Sequence, residues 1–184
     1  MRILGISGSA RRGSHNTKLL RAAANALPSG AALVEWDGLT GLPIYDEDLE
    51  ADRPQVVAEL VAAIEAADAV LIATPEYNSS VPGGLKNALD WASRPLKDNP
   101  LRNKPALVIG ASTGLFGAIW AQAEVRKVLQ STGARVLDSE LGVGMADSAF
   151  GEDGGLADRE LADRLETVLA ELAVSVDARL ALAA

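Results

Sequence analysis

The sequence predicts an α/β fold: a doubly wound, mostly parallel five-stranded sheet with helices on both faces. Three observations predict it. Strand-like apolar runs alternate with segments of helical period along the chain. Two of those runs, 69–73 and 106–111, are apolar nearly throughout, as strands buried on both faces are. Three stretches rich in glycine, serine or proline, 7–17, 75–84 and 110–117, each follow such a run. That is where the strands of a parallel sheet hand over to their helices.

In chain order, 2–7 is a strand and 16–27 a helix with Leu19, Leu20, Ala23, Ala24 and Leu27 in helical spacing. Ala31 to Trp36 is a short strand. Residues 37–54 form a long polar loop carrying Asp46, Glu47 and Asp48, read as a solvated loop or lid. An amphipathic helix over 55–66 puts Val56, Leu60, Val61 and Ile64 on one face. The strand at 69–73 precedes a helix over 83–92, with Pro82 near its first turn. The strand at 106–111 leads to a helix over 117–131 that stops at Gly133. Arg135 to Leu137 is a short edge-like strand. A final helix covers 156–180, with Leu161, Leu165, Val168, Leu169 and Leu172 in helical spacing. Right-handed crossovers bring all three loops to the carboxyl edge of the sheet, where one ligand can touch all of them.

The bulk numbers exclude several classes. At 184 residues the chain is read as one domain, 1–184, without linker or repeat. It has no cysteine, which rules out disulfides and thiolate metal sites, and its single histidine rules out a multi-histidine centre. A net charge of −8 argues against nucleic acid and anionic membrane surfaces as partners. The first residues read as a strand rather than a targeting segment, and no apolar run reaches the ~20 residues that span a bilayer. The expectation is a cytoplasmic protein without membrane insertion.

The loop over 7–17 is an anion site in outline. It runs from a strand into a helix start, where free N–H groups and the positive end of the helix dipole converge. Ser9, Ser14, Asn16 and Thr17 add neutral donors, and Arg11 adds a planar fork. Arg2, Arg11, Arg12, Lys18 and Arg21 all precede the first acid, Glu35. Local positive charge on an acidic chain points to a bound phosphate. Gly8 and Gly13 have P-loop spacing, but Ser14 and His15 stand where that motif needs Lys and Ser/Thr. A dinucleotide fingerprint fails on glycine spacing, although Asp37 after the second strand resembles its ribose-binding acid. His15 has no acid near it in the sequence and is read as a loop residue rather than a general base. The second loop, stiffened by Pro75 and Pro82, turns its amides toward a flat ligand. Tyr77 is either a stacking wall or a core-edge aromatic. Lys86 and Asp90 are spaced for an ion pair, Trp91 is packing, and Arg126 is a solvated or salt-bridged surface group.

Together these loops resemble the NADPH-dependent FMN reductase family, a flavodoxin-like group that includes quinone, chromate and azo-compound reductases. The resemblance runs from Arg2 to about Val143. It rests on Gly8-Ser9-Ala10-Arg11-Arg12-Gly13-Ser14-His15-Asn16 and on the longer run Pro75-Glu76-Tyr77-Asn78-Ser79-Ser80-Val81-Pro82-Gly83-Gly84-Leu85-Lys86-Asn87-Ala88-Leu89-Asp90-Trp91. It implies a flavodoxin-like three-layer sandwich with strand order 2-1-3-4-5. It also implies FMN as cofactor. Ser9, Arg11, Ser14, Asn16 and Thr17 would hold the phosphate, with His15 beside them. Pro75, Glu76, Tyr77 and Asn78 would line the ring, and Ser112 and Gly114 would approach it from the other side. Two positions depart from the family pattern: position 15, often aromatic, is His15, and an arginine often found near position 120 is replaced by Trp120.

The activity implied is hydride transfer from NADPH or NADH to bound FMN, then delivery of electrons to a small acceptor such as a quinone, flavin, chromate or azo compound. The chemistry would be the flavin's, with no catalytic acid or base from the protein. The assembly implied is a homodimer or homotetramer, with the 83–92 and 117–131 helices as candidate interfaces. Two other readings stay open on sequence alone: an FMN-binding electron carrier or redox sensor, and a dehydrogenase without flavin.

Overall fold

A computed structural model of the chain describes residues 1–183. The strands are β1 (Arg2–Ser7), β2 (Ala32–Trp36), β3 (Ala69–Thr74), β4 (Pro105–Ala111), β5 (Arg135–Val136) and β6 (Gly142–Val143). The helices are α1 (His15–Asn25), α2 (Gln55–Glu65), α3 (Gly83–Ala92), α4 (Ile119–Ser131) and α5 (Arg159–Ala183). All strand pairs are parallel, in the order β2-β1-β3-β4-β5, with β6 also pairing to β4. This is the flavodoxin-like order that the resemblance implied.

β3 and β4 are buried at every residue. Their alternate side chains serve two cores, as the two-residue period of a strand requires. Leu71, Leu107 and Ile109 join Leu19 and Leu20 of α1 and Leu165, Val168, Leu169 and Leu172 of α5. Val70, Ile72 and Val108 join Leu60 and Ile64 of α2, Leu85 and Leu89 of α3, and Val125 and Leu129 of α4. Helices on both faces explain why the strand sequences carry almost no polar residue.

Five expectations shift. The fifth strand is split: β5 ends at Val136, and β6 resumes the ladder beside Gly110 and Ala111. Two-residue strands carry too little pattern to be seen in sequence. α4 begins at Ile119 rather than 117, because Gly117 and Ala118 are both left-handed, at φ 58° and 62°. A Cβ on Gly117 would stand 2.3 Å from the Gly142 carbonyl carbon, so the backbones press together there. α5 begins at Arg159 rather than 156. The buried face of α2 carries Val57, not Val56, beside Leu60, Val61 and Ile64. The segment 37–54 is no free lid. Asn87 accepts from the Tyr45 N–H and donates to the Pro43 carbonyl, both at 2.8 Å. The buried Trp91 indole donates to the same carbonyl at 2.9 Å.

Candidate active site

Parallel register sets the site. Ser7 pairs with Ala73, and Thr74 with Gly110, so the loops leaving β1, β3 and β4 start side by side at one edge. A Cβ on Gly8 would meet Leu85 Cδ2 at 2.9 Å and Pro75 Cδ at 3.2 Å, so the first two loops touch. Between the three lies a cleft of about 230 Å³. Ser9, Arg11, His15 and Asn16 line it from the first loop, Pro75, Glu76 and Tyr77 from the second, and Ala111, Ser112 and Thr113 from the third.

The first loop presents donors. Among the described residues, the N–H groups of Arg12, Gly13, His15 and Asn16 have no acceptor. The last two are the opening amides of α1, where unpaired N–H groups and the helix dipole favour an anion. Arg11 curls over this loop, its Nη2 donating to the Gly13 carbonyl at 2.7 Å. The Glu76, Asn78 and Thr113 N–H groups also lack an acceptor among the described residues. The exposed ring of Tyr77 stands beside them.

Several expected site side chains are engaged elsewhere. The buried Ser14 caps α1, its Oγ accepting the Thr17 N–H at 3.1 Å. Thr17 Oγ1 donates to Ser7 Oγ at 3.1 Å and lines a neighbouring cleft of about 380 Å³ at the β1–β2 end. Asn16 clamps the first loop to the third: its Oδ1 accepts the Ala111 N–H at 2.9 Å and its Nδ2 donates to the Ala111 carbonyl at 3.0 Å. Asn78 and Ser79, both at positive φ, form the tip of a two-residue turn closed by Tyr77 and Ser80. The Gly114 carbonyl accepts from the Met145 N–H at 2.9 Å. The Glu76 carboxylate turns away from the cleft and accepts the Trp120 and Ala121 N–H groups of α4, each at 3.1 Å. It caps a helix whose own cap residue, Ala118, has no side chain to do so.

Sequence reasoning missed two partners. Glu124 of α4 accepts from Ser80 Oγ at 2.5 Å and from the Val81 N–H at 3.1 Å, which pins the far side of the Tyr77 turn. These two hydrogen bonds hold its carboxyl below the usual range. Asp147 reaches His15, with Oδ1 3.1 Å from Nε2. The expectation that His15 has no acid near it is thereby corrected. Neither contact has a signal in local spacing, since 43 or 44 residues separate the Glu124 partners and 132 the His15 pair. Arg126 pairs with Glu140 at 2.9 Å and Lys86 with Asp90 at 2.7 Å, as the sequence suggested for each.

A parallel doubly wound sheet with an anion-seeking helix start facing a flat-walled loop defines a phosphate-plus-ring binding protein of flavodoxin-like architecture. The model of the NADPH-dependent FMN reductase family matches residues 1–148. An NAD(P)H-dependent FMN reductase of Pseudomonas aeruginosa is 41% identical, over 94% of this chain and 93% of that one. A quinone reductase of Escherichia coli K12 is 38% identical over 75% of this chain and 74% of its own length. The solved structure of FerB, a flavoenzyme NAD(P)H:(acceptor) oxidoreductase from Paracoccus denitrificans, superposes with a TM-score of 0.89 at 35% identity, covering 97% of this chain and 98% of that one. The chain belongs to the NADPH-dependent FMN reductase family.

Proposed function

We propose that this chain is an FMN-dependent NAD(P)H oxidoreductase that reduces small flat acceptors, quinones foremost. One observation carries the reading: a single cleft joins the unpaired amides of the α1 start and Arg11 to the Pro75–Tyr77 wall. That donor set fits FMN. Backbone N–H groups, a guanidinium and a helix N-terminus suit its phosphate, and a proline–tyrosine wall with free amides suits a flat ring bearing carbonyl oxygens. The family relationship and the NAD(P)H-dependent and quinone-reducing relatives support the same reading.

FMN, when bound, supplies the redox chemistry, taking hydride from NAD(P)H and passing electrons to the acceptor. The protein's part is placement. Arg11 and the amides of Arg12, Gly13, His15 and Asn16 hold the phosphate, while the amides of Glu76 and Asn78 face the ring as fixed donors. Ser14 and Asn16 act one step back: Ser14 fixes the helix start, and Asn16 ties the loops together. We assign Glu76 the same indirect role through α4.

Exposed Tyr77, Leu115, Phe116, Trp120 and Met145 surround the same loops. A second copy of the chain is their proposed cover, giving a homodimer or homotetramer. An enzyme of this kind works where its donor is made, so we place it in the cytoplasm. No helix among the described residues is long and apolar enough to cross a membrane.

The test is an anaerobic titration of the FMN-loaded protein with NADPH and then NADH, following the visible flavin band, with a benzoquinone added at the end. Bleaching by the donor and recovery with quinone is the expected result. Bound flavin that stays oxidised would leave an electron carrier or sensor, and failure to load FMN would remove the flavin reading altogether.

A further inference from the structure

His15 is the chain's single histidine, and the structure gives it an environment that the family resemblance does not explain. It is the first residue of α1, at the mouth of the cleft. Its Nε2 lies 3.1 Å from Asp147 Oδ1, and its ring stacks nearly parallel to Phe150, with centroids 6.3 Å apart. Its Nδ1 is buried and has no hydrogen-bond partner. A buried, unpartnered ring nitrogen is costly, and native folds rarely keep one without a use.

We propose that binding of the ligand's phosphate in this cleft is coupled to protonation of His15. Asp147 holds Nε2–H, and Nδ1, lacking a partner in the protein, takes the new proton toward the phosphate. This rests on the flavin reading above and adds a proton to it. The neutral ring with Asp147 at Nε2 is the Nε2–H tautomer, leaving Nδ1 as a bare acceptor. A phosphate dianion has no proton to offer that acceptor. One proton from solvent converts Nδ1 to a donor and places an imidazolium between Asp147 and the phosphate. The charged groups around the ring come from four places: Asp147 after β6, Arg11 in the first loop, Glu76 in the second, and Lys18 on α1, whose Nζ is 5.9 Å from the Phe150 centroid. Arg11 and Lys18 oppose the proton, and Glu76 is committed to α4. The incoming dianion reverses that balance.

Calorimetric titration of the flavin-stripped protein with FMN at about pH 7.5, in two buffers of different ionisation enthalpy, counts protons directly. The expected uptake is roughly one proton per FMN and none for riboflavin, which has no phosphate. His15→Phe and His15→Gln should bind FMN about tenfold more weakly with that uptake gone, and Asp147→Asn should reduce it. Nitrogen-15 spectra of wild type need no variant, because one histidine gives one pair of ring signals; both nitrogens should become protonated with FMN but not with riboflavin. FMN binding with equal proton counts in wild type and His15→Phe, and a ring that stays neutral, would overturn the coupling and leave the flavin reading standing. No FMN binding to wild type would instead overturn both.

Discussion

Asn16 shows how much one side chain does at this site. The sequence offered it as a phosphate donor, but its amide meets both backbone groups of the buried Ala111. Asn16→Ala leaves that N–H and that carbonyl buried without partners, a cost of about 2–4 kcal/mol. Chemical denaturation should show that loss, together with weaker FMN binding as the first and third loops part. A loss below about 1 kcal/mol would mean that water replaces the clamp. Residue type alone placed Asn16 at the site. Its job depended on Ala111, which lies 95 positions away. Lys104 makes the same point outside the site. Nearly buried, it donates to the Ala67 carbonyl just past α2, and burial lowers its pKa.

At the scale of elements, the Tyr77 turn is held by α4 through two acids, Glu76 at the helix start and Glu124 one turn further along. Glu124 is the titratable half. Its folded-state pKa lies below the ordinary 4.5 because the Ser80 hydroxyl and the Val81 N–H favour the carboxylate. The unfolded chain therefore binds the proton more readily. The stabilisation is complete above the unfolded value and is lost as pH falls through the folded one. Glu124→Gln should melt earlier than wild type near neutral pH, and the gap should close below 4.5. A gap that persists unchanged into acid would assign the effect to packing. The elements themselves were legible because continuous apolar runs and helical spacing are local. β6 and the α4 start were not, since the first is two residues long and the second depends on the Gly117 backbone pressing on Gly142.

For the whole molecule, three loops from three strands form one binding surface, so the ligand joins parts of the chain that otherwise meet at few points. FMN at about a hundred times its Kd should stabilise the fold by about 2.7 kcal/mol. For a chain of this length that is a Tm rise of roughly 5–11 °C. Calorimetry should show it for FMN, with a smaller rise for riboflavin. No rise at saturating FMN would remove the flavin reading.

By itself the sequence determined the alternation of strands and helices, the two-sided burial of the central strands and the placing of three donor-rich loops at one sheet edge. Those features follow from local periodicity and from the geometry of parallel crossovers. The tertiary structure decided which side chains face the cleft and which are spent on holding it. Asn16 meets Ala111, Glu76 and Glu124 meet opposite sides of the Tyr77 turn, and Asp147 meets His15. Such contacts join residues tens of positions apart and leave no period in the sequence, so only the folded backbone brings them within hydrogen-bond distance.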